Sequence, residues 1–241
     1  MARDPSDTRD PDEPPVDGDP VGVLFDLDGV ITDTSELHYR SWQRIAADLG
    51  LAFDRAANEH LRGLGRQESL AVLLGSRMSE FDDAQQAEIL TRKNQDYLDL
   101  VARLGPADVF DGIAGLMRGL RSSGARLAVA SSSRNARRVI DRLGVANLLD
   151  TVVDGNDAPL SKPDPQVFLF AAERLGVPAG RCVVIEDAAS GVDAALAARM
   201  QVVGVGPAER VGRATVRVAR PEDLRAGFIL GLLGRSRFSD G

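Results

Sequence analysis

Asp26 and Asp28 are the residues of this chain best placed to do chemistry. They open the run Asp26-Leu27-Asp28-Gly29-Val30-Ile31-Thr32, which follows the apolar residues Val21, Val23, Leu24 and Phe25. That apolar stretch reads as a short buried strand ended by Gly29. Residues two apart at its end point the same way, so the two carboxylates are expected to converge. Neighbouring carboxylates resist joint ionisation unless a cation or a proton lies between them, which points to a divalent metal or to acid–base work. The plainer alternative is a pair of solvated loop acids ahead of a turn glycine.

The elements that would position these acids follow from periodicity. Ser35 to Leu49 reads as a helix, with Trp42, Ile45, Ala46 and Leu49 on one face. Arg55 to Arg62, Gln67 to Leu74 and Asp83 to Leu104 are rich in helix formers and lack strand-like alternation, so residues 37–107 are expected to form an all-helical unit. Beyond Pro106, strands and helices alternate, the signature of a parallel sheet covered on both faces. The strand candidates are Leu127–Ala130, Thr151–Val153, Val183–Ile185, Val202–Val205 and Val216–Val218. Between them, helices are expected at Ile113–Ser122, Ala136–Leu143, Gln166–Leu175 and Val192–Arg199. The fold class is therefore α/β: a Rossmann-like parallel sheet core from residues 21–36 and 108–241, with the helical cap of 37–107 inserted after the first strand.

Residues 1–20 are rich in Asp and Pro with few apolar side chains, and are expected to be a disordered tail that carries much of the excess negative charge. With 241 residues, 44% hydrophobic and 27% charged, the chain can bury one large core and a smaller one. Its net charge of -7 argues against nucleic acid and anionic membrane as partners. The single cysteine, Cys182, lies in an apolar strand candidate and reads as a buried thiol. No apolar run is long enough to span a membrane and no leader is evident, so a cytoplasmic location is expected.

In open parallel sheets ligands bind beyond the carboxyl ends of the strands. The polar residues that follow these strands are Asp26 and Asp28, then Ser131-Ser132-Ser133, then Glu186-Asp187, with Lys162 brought in by the loop before a helix. Four carboxylates, a lysine and hydroxyls near a helix start suit a phosphate ester bound beside magnesium. There is no His/Cys set for zinc and no Gly-Lys-Ser/Thr phosphate loop.

These stretches, with Asp33-Thr34, Ser131-Ser-Ser-Arg-Asn135, Ser161-Lys-Pro-Asp-Pro165 and Glu186-Asp-Ala-Ala-Ser-Gly191, stand in the order and spacing of the haloacid dehalogenase superfamily of phosphotransferases, and the chain resembles that superfamily from about residue 21 to residue 225. His38, Gly63-Leu-Gly-Arg66 and Arg92-Lys-Asn94 resemble its phosphoglucomutase branch. The resemblance implies an aspartyl-phosphate mechanism with Asp26 as nucleophile and Asp28 as general acid and base. By motif position it implies Mg²⁺ held by the Asp26 side chain, the Asp28 carbonyl, Glu186 and Asp187. Lys162 would screen the nucleophile, and Ser131 and Ser132 would bind the transferring phosphate. Arg66, Ser133, Arg134 and Asn135 match positions for the phosphate that is not transferred, Lys93 and Trp42 line the sugar site, and Thr34 and His38 tie Asp28 to closure of the cap.

A mutase must hold a bisphosphate in two orientations, so it needs a second cationic site and exclusion of water. The implied reaction is β-D-glucose 1-phosphate to D-glucose 6-phosphate through β-D-glucose 1,6-bisphosphate, by a monomer acting on small sugar phosphates. A sugar-phosphate phosphatase on the same core is the alternative. A silent binding protein would not need the full set of Asp26, Asp28, Lys162 and Asp187, and a dehalogenase would leave Asp28 without a role. His60 reads as an ordinary cap residue, and Arg62 and Arg92 as a solvated basic face. Departures from the family pattern are Gly65 for a common serine, Ser132 for alanine, Arg134 for lysine and Ala188 for serine. They bear on substrate preference more than on mechanism.

Overall fold

The computed structural model describes residues 20–61 and 64–235. The tail expected over residues 1–20 lies outside them except for Pro20, as do Arg62 and Gly63. Six strands form one all-parallel sheet: β1 (Gly22–Phe25), β2 (Arg126–Ala130), β3 (Thr151–Val153), β4 (Cys182–Glu186), β5 (Gln201–Val205) and β6 (Val216–Val218), in the spatial order β3-β2-β1-β4-β5-β6. β1 is central, with Phe25 in register with Val129 on one side and Ile185 on the other. The order reverses direction between β1 and β4, so the crevice of this doubly wound sheet opens beyond their carboxyl ends. The α/β class inferred from the alternating pattern is the one observed.

Alternate side chains of each strand feed opposite cores, which is why these strands read as unbroken apolar runs. Val23, Phe25, Leu127, Val129, Val183 and Ile185 pack on one face with α5 (Ile113–Ser122) and α6 (Ala136–Leu143). Leu24, Ala128, Cys182, Val184 and Val202 pack on the other with α7 (Gln166–Leu175) and α8 (Ala189–Ala197). The buried thiol of Cys182 is pushed up to about 12 by burial, so it is a core group. A short helix, α9 (Ala208–Val211), follows β5, and α10 (Ala226–Arg235) closes the first face through Ile229 and Leu232.

Between β1 and α5 the chain forms α1 (Ser35–Asp48), α2 (Arg55–Glu59), α3 (Arg66–Leu74) and α4 (Asp83–Val101). Trp42, Ile45, Leu61, Leu70, Leu74 and Ile89 make a separate small core among these helices. α4 starts at a capping box in which Asp82 accepts from the Gln85 N–H and the Gln85 side chain accepts from the Asp82 N–H. Its 19 residues span about 28 Å. Ile89 therefore belongs to the small core, while Tyr97 and Val101 reach the main one. The outgoing and returning segments lie side by side, with Phe110 N–H donating to the Ile31 carbonyl (2.9 Å) and the Thr32 hydroxyl to the Asp108 carbonyl (2.6 Å).

Several boundaries differ from expectation. α2 ends at Glu59 and α4 at Val101, whereas α8 begins at Ala189, three residues before the expected start. The last shift has a local cause: the Glu186 carboxylate accepts from the N–H groups of Asp187 and Ala188, ordering the approach to α8. α10 was not expected at all. Among the described residues no helix is long and apolar enough to cross a membrane.

Candidate active site

The ends of β1 and β4 deliver a cluster of buried charge. Asp26, Glu186 and Asp187 are buried and offer ligand atoms that all lie within 4.8 Å of one another. Lys162 is buried against them, its Nζ 2.5 Å from Asp26 Oδ1, 2.8 Å from Glu186 Oε2 and 3.2 Å from the Ala130 carbonyl. It arrives on the loop before α7, where the Lys162-Pro163 peptide bond is cis. Burial alone would depress the lysine, but the Asp26 and Glu186 carboxylates outweigh it and hold the ammonium above its ordinary range. Glu186 is pushed up to about 8 by burial and by the neighbouring Asp26 carboxylate. Three buried acids crowd around one ammonium, and an all-oxygen donor set of this kind fits a hard divalent cation.

Gly29 shapes this cluster. Its φ is +82°, and a Cβ there would lie far inside contact distance of Asp187 Oδ2, so only glycine permits both the turn and the approach.

The expected convergence of Asp26 and Asp28 needs correction. Asp26 Oδ2 accepts from the Asp28 N–H at 3.0 Å, but the Asp28 carboxylate is outside the three-acid cluster and lies 3.9 Å from His38 Nε2. β1 ends at Phe25, and Asp28 sits in the turn at Gly29, so strand alternation does not extend to it. The pair is thus divided: Asp26 faces the cation cluster, and Asp28 faces the helical unit.

The groups around Asp28 come from α1 and α4. Lys93, buried on α4, lies 2.9 Å from His38 Nδ1 and over the rings of Trp42 and Tyr97 at 5.2 and 4.8 Å. Burial, then the charges of Lys93 and Arg66, hold His38 well below its ordinary value, so the imidazole is neutral. Its Nδ1 faces the Lys93 nitrogen and its Nε2 faces Asp28. Thr34 is fully buried at the start of α1, its hydroxyl against the Tyr97 phenol without a hydrogen bond of ordinary geometry, and the exposed Asp33 just ahead of it accepts from the Ser35 N–H.

The loop after β2 supplies the remaining polar groups. The Ser133 N–H donates to the buried Ser131 Oγ (3.1 Å), and Ser132 Oγ accepts from the Lys162 N–H at 3.5 Å. Asn135 donates to Asn94 Oδ1 (2.9 Å), the same oxygen that takes a bond from Arg66 (2.6 Å). Arg66 is depressed by burial and by the charge of Arg134, and both residues line the same cleft. A cleft of about 360 Å³ is lined by Asp26, Asp28, His38, Lys93, Arg66 and Arg134 among others, a volume suited to a small polar metabolite.

Of the expected site residues, Asp26, Asp28, His38, Trp42, Arg66, Lys93, Ser131 to Asn135, Lys162, Glu186 and Asp187 line this cleft, while Thr34 lies behind it. His60 is exposed, and Arg92 pairs with Asp48 on the outer side of the helices. Asn94 and Tyr97 were not singled out as site residues. Asn94 stood in a quoted motif, and Tyr97 falls one helical turn beyond Lys93, which is the signal that could have found it.

Comparison with known proteins agrees with this geometry. The haloacid dehalogenase-like hydrolase family matches residues 21–199. The chain is 40% identical over 204 residues to the β-phosphoglucomutase of Bacillus subtilis, covering 84% of this chain and 90% of that one. It is 31% identical over 186 residues to a fructose-1-phosphate phosphatase of Escherichia coli, covering 77% and 96%. A crystal structure of β-phosphoglucomutase from Clostridium difficile superposes with a TM-score of 0.87 at 33% identity, over 90% of this chain and 99% of that one.

Proposed function

The chain belongs to the haloacid dehalogenase-like hydrolase family, and on that premise we propose that it is a β-phosphoglucomutase, interconverting β-D-glucose 1-phosphate and D-glucose 6-phosphate through β-D-glucose 1,6-bisphosphate. The observation that carries the choice of mutase is the second cationic site. Arg66 and Arg134 both line the cleft that holds Asp26, and Arg66 is fixed there by its 2.6 Å bond to Asn94 Oδ1 although the Arg134 charge opposes it, an arrangement suited to an anion. Hydrolysis of a monophosphate has no use for such a site.

In this reading Asp26, Glu186 and Asp187 would hold Mg²⁺, joined by the Asp28 carbonyl, and the ion would supply charge neutralisation between the nucleophile and an anionic phosphate. Asp26 attacks phosphorus, forming the aspartyl phosphate as the bond from phosphorus to the sugar oxygen breaks. Asp28 gives its proton to that departing oxygen, and in the opposite half-reaction takes the proton of the sugar hydroxyl that attacks the aspartyl phosphate. Lys162 lies on Asp26 and offsets the charge that the carboxylate and phosphate bring together. Ser131 and Ser132 hold the phosphate being transferred, while Arg66, Ser133, Arg134 and Asn135 hold the other. His38 presents Nε2 toward Asp28, and with Thr34 links its position to the helices. Trp42 and Lys93 form the wall of the sugar site.

Residues 37–107 act in this proposal as a cap that closes on the sheet core of 21–36 and 108–241 and excludes water. The enzyme is read as a cytoplasmic monomer. The similarity to a fructose-1-phosphate phosphatase keeps a sugar-phosphate phosphatase as the second reading.

Arg66→Ala separates the two. It should reduce kcat/KM for β-glucose 1-phosphate by about a hundredfold while leaving hydrolysis of a simple aryl phosphate within about threefold, because only the first uses the distal site. Equal losses on both substrates would count against the second site.

A further inference from the structure

Arg210 stands beside the proposed cation site without lining the cleft, and the mechanism above does not use it. It lies on α9, at the carboxyl edge of β5. Its Nη2 is 3.9 Å from Asp187 Oδ2, and its Nη1 is 3.7 Å from Glu59 Oε2 on α2 of the helical unit. The side chain is seated by packing: a Cβ on Gly206, where φ is +125°, would lie 2.6 Å from Nη2, and Arg217 fixes that floor by donating to the Gly206 carbonyl (2.9 Å). Arg210 Nε is buried without a hydrogen-bond partner. The guanidinium is thus held in place between two carboxylates, one from the sheet core and one from the helices, each beyond hydrogen-bond distance.

We propose that the Glu59–Arg210–Asp187 charge bridge couples divalent-cation affinity to the position of the helical cap, with Arg210 as the positioning residue. The proposal rests on the reading of Asp187 as a cation ligand. A fixed positive charge beside Asp187 opposes a cation there. Glu59 offsets that charge while α2 is near, and the offset is lost when the helices swing away. The cation site is therefore stronger in the closed form, and by reciprocity the cation favours closure. Glu59 is half exposed, so the effect is modest and weakens at high ionic strength.

The test is a double-mutant cycle on the full chain, read as the affinity for Mg²⁺ by calorimetry without substrate. Glu59→Gln should weaken binding about threefold, since Arg210 is left unbalanced. Arg210→Gln should bind Mg²⁺ at least as tightly as the unchanged protein, and in its background Glu59→Gln should have no further effect. Equal effects of Glu59→Gln with and without Arg210, or no change in either, would overturn the bridge. No Mg²⁺ binding by the unchanged protein would overturn the cation reading itself and the bridge with it, while a distal phosphate site at Arg66 would stand or fall separately.

Discussion

Asn135, on the loop after β2, donates a 2.9 Å hydrogen bond to Asn94 on helix α4, and the amide oxygen that receives it also receives Arg66 at 2.6 Å. One neutral acceptor thus fixes a cation from the helices and a donor from the sheet core at the same point. Asn94→Ala should free both. The loss of a hydrogen bond to a charged group predicts a rise in KM for β-glucose 1-phosphate of about tenfold, with aryl phosphate hydrolysis within about twofold. An unchanged KM would mean that the distal site is organised without Asn94.

Lys93 links pH to stability. Burial, then the charge of Arg66, push its ammonium down to about 7 from the ordinary 10.5, with Asp28 pulling the other way. Between those values the unfolded chain holds a proton that the folded chain lacks, so this group makes stability rise with pH through that window, and its penalty is fully present below about pH 7. Lys93→Met removes the slope. Urea unfolding at about pH 6 and about pH 9 should show the unchanged protein gaining at least ~1.4 kcal/mol relative to the variant, the equivalent of one pKa unit. Parallel pH dependences would contradict the burial of a charged Lys93.

Much of this site was legible in the sequence because it hangs on strand ends. Val183 to Ile185 and Leu127 to Ala130 are unbroken apolar runs, and the rule that ligands gather beyond parallel strands places Asp26, Ser131 and Glu186 together without coordinates. Asp28 was misplaced because alternation was carried one turn past the end of β1. Asn94 and Arg210 were not legible, since each acts across the gap between the helices and the sheet, and no local pattern reports where one unit lies against the other. α10 was missed for a different reason: Gly227, Gly231 and Gly234 lower helix propensity, and burial of Ile229 and Leu232 outweighs them.

Lys162 neutralises two buried acids that otherwise face each other. Lys162→Met should destabilise the protein by roughly 3–5 kcal/mol, because it leaves the buried Asp26 carboxylate without its ammonium partner and drives Glu186 further toward its protonated form. Millimolar Mg²⁺ should restore part of the loss, seen as a larger Mg²⁺-dependent rise in Tm for the variant than for the unchanged protein. A variant as stable as the original, or indifferent to Mg²⁺, would argue against a cation-binding acid cluster.

The central claim is that the phosphoryl group returns to sugar and not to water. The direct measurement follows glucose 6-phosphate and inorganic phosphate together, with the purified protein, Mg²⁺, β-glucose 1-phosphate and a trace of β-glucose 1,6-bisphosphate. Fast formation of glucose 6-phosphate that depends on the bisphosphate, with little free phosphate, is the predicted result. Dominant release of inorganic phosphate, indifferent to the bisphosphate, would contradict it and assign the site to a sugar-phosphate phosphatase.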